Sequence, residues 1–295
     1  MASSTAPAAV PDTKAETQNA AATSAYICEL FECLGSLDEF KSFDFTPIIG
    51  REFPDVYLTD ILNDDQRICD LAITVSRRGV IFFRNQSINS DEQKVLGQKL
   101  GELSGKPETS KLHRHATNNT GRNLTVNEHG KLDEEISFIS SETNRNYYGD
   151  RFRKNFKHLA SEGWHADITF ERAPSDYAIP KITHSPEDQA GGDTLWASGY
   201  EALADTLTAV HHQPSFKNIA KEHRIEIIEG DRGAPENTGF DFKARHPLVR
   251  TNPVTRWKIC RLITGNHGLQ IRFKWGTNDL AIWDNYYMFG PRRRT

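Results

Sequence analysis

The eight-residue run Gly163–Phe170, GWHADITF, constrains the fold more than any other stretch, because aromatic and β-branched residues alternate in it with polar ones. Such alternation is typical of a β-strand with one apolar and one polar face. Successive strand side chains point to opposite faces, so His165, Asp167 and Thr169 are expected on one face. The run therefore predicts an imidazole and a carboxylate held side by side on a rigid backbone.

An imidazole nitrogen and a carboxylate oxygen are two of the three protein ligands in the two-histidine, one-carboxylate site of non-haem Fe(II). The simpler interpretation is a surface hydrogen bond, since a lone His-x-Asp triplet has low specificity. Two further runs bear on the choice, AGGDTLWAS at 190–198 and NDLAIWDN at 278–285. In the first, the paired glycines permit positive φ, and the Thr194 hydroxyl can donate to a carboxylate. A hairpin turn with a cross-strand threonine is the alternative interpretation.

These three runs, in this order, resemble the taurine dioxygenase (TauD)-like family of Fe(II)- and 2-oxoglutarate-dependent dioxygenases. The resemblance extends from about Phe45 to Asn285. It implies that His165 and Asp167 bind Fe(II), and that Thr194 contacts the distal carboxylate of the cosubstrate 2-oxoglutarate.

Two other segments that contain histidine also match the family. The segment Lys111–His115 follows a Gly-Glu-Leu at 101–103, and the resemblance places His115 against the substrate. Two exposed histidines in a polar loop are the alternative. His246 begins a His-Pro-x-Val-Arg element whose histidine is not an iron ligand in the family, so we assign it no metal.

The fold implied by the resemblance is mainly β with flanking helices, a double-stranded β-helix of the jelly-roll type. Local patterns predict a helix over 65–79 that ends at a glycine, and a buried strand at 80–83, VIFF. They also predict a helix that opens with a capping box at 90–93 and another over 200–211.

The C-terminal part departs from the family pattern. A core strand and a substrate loop of the family are not found after Lys258, so a strand of the sheet is expected to be missing. In register, the family's arginine falls at Tyr286 and its second iron-binding histidine at Gly290. The later arginine that binds a 2-oxoglutarate carboxylate is not found either. We therefore expect a β-helix that is incomplete at the C-terminal end, and no third protein ligand for iron.

Composition restricts the partners. A net charge of −4 and a pI near 6.3, with scattered Lys and Arg, argue against nucleic acid. No apolar run approaches the length of a membrane span, so no membrane partner is expected. Four cysteines without zinc-type spacing predict free thiols in a reducing compartment, and hence a cytoplasmic protein.

Two segments stand apart from the predicted core. Residues 1–24 are rich in Ala, Ser, Thr and Pro and have no aromatic residue, so a disordered tail is expected before one dioxygenase domain at 25–295. A mitochondrial transit peptide is the alternative, but Lys14 is the only basic residue there. The polar segment Thr117–Lys157 is expected to be a lid or substrate loop.

The expected function is oxidation of a small, anionic, sulfonate-like organic substrate by O₂, with release of succinate and CO₂. The partners are that substrate and O₂, and the resemblance allows a homo-oligomer. The alternative is a catalytically inactive relative or truncated gene product that acts at most as a binding protein, which the absent ligands favour. A cupin-like metal hydrolase shares the architecture but gives no reason for the AGGDTLWAS run.

Overall fold

The computed structural model describes residues 32–117, 133–140, 164–185, 193–198, 208–247, 249–256, 258–260, 269–285 and 288–291. Its helices are α1 (Leu58–Ile61), α2 (Asp65–Arg78), α3 (Ser90–Leu103) and α4 (Ser215–His223). Its strands are β1 (Phe43–Asp44), β2 (Arg51–Phe53), β3 (Val80–Phe83), β4 (Trp164–His165), β5 (Tyr177–Ala178), β6 (Thr194–Ser198), β7 (Thr208–His212), β8 (Lys243–Pro247), β9 (Val249–Thr251), β10 (Lys258–Cys260), β11 (Gln270–Phe273), β12 (Leu280–Asp284) and β13 (Met288–Pro291).

Two sheets form the centre of the molecule. The larger has five strands in the order β1-β2-β3-β12-β5, and the smaller has four in the order β11-β6-β13-β4. The strands β7 and β8 form a separate antiparallel pair, as do β9 and β10. The prediction of a mainly β fold with flanking helices is confirmed.

The core has two layers, one on each face of the five-stranded sheet. Alternate residues of β3 divide between them, because strand side chains alternate in direction. Val80 and Phe82 pack towards the four-stranded sheet, where the Phe82 ring stacks on Phe273 with centroids 3.9 Å apart. Ile81 and Phe83 pack on the other side, against the helices α1, α2 and α3. The molecule is therefore layered as helices, five-stranded sheet and four-stranded sheet.

Local signals placed several elements correctly. The helix α2 begins after Asp64, whose carboxylate accepts from the Arg67 amide at 3.1 Å, and ends at Gly79 with φ of +73°. All four residues of β3 are buried, as predicted. The capping box of α3 lies one residue earlier than predicted, since Asn89 is the cap and Glu92 its reciprocal partner.

Two sequence predictions about secondary structure are wrong. Within the described residues 164–170 of the predicted strand, Trp164–His165 is a strand and 167–170 form a turn, because the described part of β13 pairs with those two residues alone. The end of the predicted helix 200–211 is part of β7, where pairing with β8 overrides the helical spacing of apolar residues. Residues 199–207 lie outside the described part of the chain.

The prediction of four free thiols is also wrong, because Cys69 is disulfide-bonded, whereas Cys33 is free. The cysteines therefore give no support to a reducing compartment, and a cytoplasmic location stays a prediction. Within the described ranges, no helix is long and apolar enough to cross a membrane.

The tail at 1–24, most of the polar segment 117–157 and residues 261–268 lie outside the described residues, so the predictions about them stay predictions.

Phe82 provides a test of the layered core. Replacing Phe82 by Ala is expected to lower the free energy of unfolding by about 3–5 kcal/mol, since this ring of the five-stranded sheet is fully buried against Trp196 and Phe273 of the four-stranded sheet. Urea denaturation followed by tryptophan fluorescence measures the change. The matched control is Phe240→Ala, because Phe240 is 42% exposed and its loss should cost far less. Equal losses in both variants would contradict the layered core.

Candidate metal centre

His165 lies at the end of β4, and the chain leaves the sheet directly after it. In the ladder between β4 and β13, His165 is directly opposite Gly290 and Trp164 is opposite Pro291. The turn at 167–170 then reverses the chain through Ile168, which has φ of +46°. Asp167 therefore projects from a turn and not from a strand, in contrast to the prediction.

The predicted imidazole and carboxylate nevertheless lie next to each other. His165 Nε2 is 3.3 Å from Asp167 Oδ1, and the two side chains are 41% and 43% exposed. Nitrogen and oxygen atoms this close can occupy adjacent positions around one cation. The pair is thus accessible to solvent. It has the donor atoms of two of the three protein ligands of a non-haem iron site.

The main chain of Asp167 is held by a distant side chain. Asn285 Oδ1 accepts from the Asp167 amide at 2.9 Å, and Asn285 Nδ2 donates to the Asp167 carbonyl at 3.0 Å and to the Ser175 carbonyl at 3.0 Å. Asn285 follows β12 and is only 3% exposed. Sequence reasoning placed Asn285 in the third motif but gave it no role.

A buried ion pair lies just beyond the turn. Arg232 donates to both carboxylate oxygens of Glu171, at 2.6 and 2.8 Å, and both side chains are 2% exposed. His113 Nε2 is 3.6 Å from the same carboxylate. Burial alone would raise the pKa of Glu171, but the hydrogen bonds from Arg232 and the nearby His113 hold that pKa below its ordinary value. No sequence signal linked these residues, because Glu171 and Arg232 are 61 positions apart.

The ion pair also connects the turn at 167–170 to the segment that contains His115. Two main-chain hydrogen bonds join the segments. The Lys111 amide donates to the Gly233 carbonyl, and the Arg114 amide donates to the Arg232 carbonyl. Gly233 has φ of +100°, and a Cβ there would lie 2.6 Å from the Leu112 carbonyl oxygen. Only glycine fits this close backbone approach.

His115 lies among aromatic rings beside the turn. Its ring centroid is 5.3 Å from that of Phe216 and 6.2 Å from that of Phe170, which belongs to the turn. The Thr117 amide donates to His115 Nδ1 at 3.3 Å. Because an amide can only donate, Nδ1 is the acceptor and the ring proton of neutral His115 is assigned to Nε2.

Thr194 and His165 lie in the same sheet and on the same face. Met288 is opposite Ser198, and Gly290 is opposite His165. Directly paired residues share a face, and so do residues two or four apart in one strand. Thr194 therefore shares a face with Ser198, and Met288 shares that face with Gly290 and hence with His165. One strand separates β4 from β6, so the two backbones are about 10 Å apart. The Thr194 hydroxyl accepts from Trp275 Nε1 at 2.8 Å.

His246 contacts the main chain at the end of the turn. Its Nε2 lies 2.9 Å from the carbonyl oxygens of both Thr169 and Glu171, and Arg250 donates to its Nδ1. That His246 is not an iron ligand stays a prediction.

Comparison with known proteins identifies the family. The family model described as "Taurine catabolism dioxygenase TauD, TfdA family" matches residues 41–264. The chain belongs to the TauD, TfdA family. It is therefore of the 2-oxoglutarate-dependent dioxygenase class, and the resemblance found in the sequence is confirmed.

Relatives of the TauD, TfdA family match most of the chain. The alpha-ketoglutarate-dependent dioxygenase btcD of Neocamarosporium betae is 40% identical over 313 aligned positions, which cover 88% of this chain and 87% of that protein. The alpha-ketoglutarate-dependent sulfonate dioxygenase of Saccharomyces cerevisiae is 28% identical, with 85% of this chain and 62% of that protein covered. The crystal structure of a taurine dioxygenase from Burkholderia xenovorans has a TM-score of 0.57 at 19% identity, and the match covers 86% of this chain and 83% of that one. The fold is thus that of the TauD, TfdA dioxygenases.

The donors fit the family's iron site only in part. His165 and Asp167 have the spacing of two adjacent ligands. In the described parts of the chain, however, no group of three His, Cys, Asp or Glu side chains is arranged to hold a metal ion. The resemblance put the second iron-binding histidine at position 290, and the ladder sets Gly290 directly opposite His165. The residue directly opposite His165 in the ladder therefore has no side chain.

The buried ion pair generates a prediction about stability and pH. Replacing Glu171 by Gln leaves the Arg232 guanidinium without its buried countercharge, so the free energy of unfolding at pH 7 is expected to fall by about 3–5 kcal/mol. Since the pKa of Glu171 is lowered in the folded state, its stabilisation is present above about pH 4.3 and is lost as the pH falls through the folded pKa. The difference between the wild type and the variant should therefore shrink below about pH 4.3.

Urea denaturation between pH 3 and pH 7 measures this difference. The matched control is Glu236→Gln, which alters an exposed carboxylate in the loop that contains Arg232 and should change the free energy of unfolding by less than about 0.5 kcal/mol. A difference between Glu171→Gln and the wild type that stays constant with pH would contradict the assignment.

Proposed function

We propose that this chain binds Fe(II) through His165 and Asp167, takes 2-oxoglutarate as cosubstrate and oxidises a small anionic organic molecule. The observation that carries the proposal is the 3.3 Å separation of His165 Nε2 from Asp167 Oδ1 in a chain of the TauD, TfdA family. In the balanced reaction, one oxygen atom of O₂ enters the substrate. The other enters the succinate that forms when 2-oxoglutarate loses CO₂. Fe(II) would supply the reduction of O₂, for which amino-acid side chains have no suitable chemistry.

Thr194 is proposed to orient 2-oxoglutarate. Its hydroxyl oxygen accepts a hydrogen bond from Trp275 Nε1, so its own proton is directed away from the indole. A hydroxyl fixed in this way is suited to donate to a carboxylate oxygen. Thr194 lies on the same face as His165, with strands about 10 Å apart and an offset of two residues along β6, which leaves room for a five-carbon diacid between the two residues.

His115 is proposed to contact the substrate. With Nδ1 accepting from the Thr117 amide, Nε2 carries the proton and acts as a donor, which suits an anionic oxygen. The rings of Phe170 and Phe216 beside it make the surroundings apolar, and a hydrogen bond to an anion is stronger where water is excluded. The name of the yeast relative, a sulfonate dioxygenase, supports a sulfonate or a similar anion as the substrate class.

Succinate formation tests the proposed reaction. The purified chain with Fe(II), O₂ and 2-oxoglutarate is expected to release succinate faster when a panel of small sulfonates and carboxylates is added, as measured by mass spectrometry. His165→Ala and Asp167→Ala should each lower the rate at least tenfold and weaken Fe(II) binding by at least about tenfold, because each removes a ligand. His184→Ala is the matched control, since His184 is an exposed imidazole in another loop and should leave both quantities unchanged.

Fe(II) stoichiometry decides the metal assignment separately from turnover. Equal iron content in the wild type, His165→Ala and Asp167→Ala after anaerobic loading and gel filtration would contradict the assignment even if succinate were formed.

One observation favours a second candidate, a non-catalytic relative that keeps the fold and binds a ligand. Gly290, opposite His165, offers no third ligand, and two ligands enforce the facial geometry less well than three. Such a protein would bind 2-oxoglutarate or a similar anion near Thr194 without succinate formation.

Gly290→His discriminates between the two candidates. An imidazole at position 290 would lie directly across the ladder from His165, where paired Cα atoms are about 4.5–5.5 Å apart. We expect Gly290→His to raise the affinity for Fe(II) by at least about tenfold. Gly290→Ala is the matched control, because it adds a side chain without a ligand atom and should give no gain. Succinate formation by Gly290→His but not by the wild type would establish the non-catalytic candidate, whereas equal affinities in both variants would contradict the role of position 290.

A further inference from the structure

Among the described residues, no strand pairs with the turn that carries Asp167. The chain leaves the ladder after His165, and Ile168 has φ of +46°, a conformation that is uncommon for a β-branched residue. A turn of this kind has main-chain N–H and C=O groups that must be satisfied by other partners. The direction of the Asp167 carboxylate therefore depends on what fixes the main chain around it.

Asn285 satisfies both main-chain groups of Asp167. It accepts from the Asp167 N–H at 2.9 Å and donates to the Asp167 C=O at 3.0 Å. Asn285 is itself fixed, because its main-chain N–H donates to the Asp176 carbonyl at 2.8 Å and because it directly follows the buried strand β12. A primary amide is the side chain that can accept and donate in one plane, as a neighbouring strand does.

His246 fixes the other end of the turn. The Arg250 guanidinium can only donate, so His246 Nδ1 is the acceptor and Nε2 carries the proton. That proton points at the carbonyl oxygens of Thr169 and Glu171, each 2.9 Å from Nε2. Asn285 and His246 therefore hold the turn on either side of Ile168.

We propose that Asn285 is a positioning residue for the metal-binding carboxylate of Asp167. Asn285 replaces the missing strand partner and so fixes the peptide units on both sides of the Asp167 Cα, and His246 holds the end of the turn in support. The proposal rests on the proposed role of Asp167 as a metal ligand. Asn285 raises the affinity for the metal by fixing the Asp167 main chain, and it does not itself contact the metal.

The chain contains a matched control for this geometry. Asn237 accepts from the Ala173 N–H at 2.9 Å and donates to the Ala173 C=O at 2.7 Å, and it is 2% exposed. Asn237 thus makes the same pair of main-chain hydrogen bonds as Asn285, with the same burial, but at a residue six positions beyond Asp167. Replacing either asparagine by Ala removes the same kind of interaction from the folded state.

The first measurement is the affinity of the full chain for Co(II), used as an air-stable probe and followed by its visible absorption. Asn285→Ala is expected to weaken Co(II) binding about 10- to 100-fold, in the range found when partners that orient a ligand are removed. Asn237→Ala should change it by less than about twofold, because its hydrogen bonds do not reach the Asp167 main chain. Asn285→Asp keeps the acceptor for the Asp167 N–H but loses the donor to the carbonyl. Its affinity for Co(II) should lie between those of the wild type and Asn285→Ala.

The second measurement does not depend on metal. Hydrogen–deuterium exchange of peptides that span 164–171 should be at least tenfold faster in Asn285→Ala than in the wild type and unchanged in Asn237→Ala. If Asn285→Ala does not fold, Asn285→Asp gives the same comparison with a side chain of equal size.

The outcomes separate this proposal from the metal site itself. No Co(II) binding by the unmodified chain would contradict the metal site, and the exchange measurement would then decide whether Asn285 holds the turn. Co(II) binding of equal strength in the unmodified chain, Asn285→Ala and Asn237→Ala would overturn the role of Asn285. Unchanged exchange in both Asn285 variants would overturn it as well.

Discussion

Hydrogen bonds from buried side chains to the main chain of residues 166–173 are the constraint on which the site depends. Once the chain leaves β4, no strand in the described part of the chain pairs with this segment, and residues at alternate positions are held by side chains that are distant in sequence. Position 167 is held by Asn285, positions 169 and 171 by His246, and position 173 by Asn237. An unpaired buried main-chain group costs about as much as a lost hydrogen bond, so these contacts fix one conformation of the segment.

The strand β12 connects the core to this segment. It pairs with β3 at the centre of the five-stranded sheet, and its last residue, Asp284, is buried. The Asp284 carboxylate accepts from the Ser76 hydroxyl at 3.0 Å and from Asn252 Nδ2 at 2.8 Å, which links α2 to the chain after β9. The next residue is Asn285. The packing of β12 therefore fixes the position of Asn285, and Asn285 in turn fixes the turn that carries Asp167.

The site combines family features with one departure from them. The pair His165 and Asp167, the position of Thr194 on the same sheet face and the donor assigned to His115 support the roles that we propose for these residues. Gly290 instead places no ligand atom opposite His165. The contacts that hold the turn are thus present in the described residues, and position 290 is the proposed determinant of how well the pair binds iron.

The sequence by itself determined what depends on a few neighbouring residues. The limits of α2 follow from the cap Asp64 and from Gly79, and the burial of β3 follows from four apolar residues in a row. The proximity of His165 and Asp167 was also predictable, because two residues this close in sequence stay within reach in a strand or in a turn. The family followed from three motifs in order.

The tertiary structure decided everything that depends on a distant partner. Whether 163–170 is a strand or a turn depends on how much of it β13 pairs with, and the strand β7 exists because β8 lies beside it. Asn285 reaches Asp167 across 118 positions, and no local pattern encodes such a contact. Local propensities are worth less than about 1 kcal/mol per residue. Pairing and burial in the folded chain outweigh them, so the sequence predicted that His165 and Asp167 lie together, but only the fold revealed what holds the main chain around them.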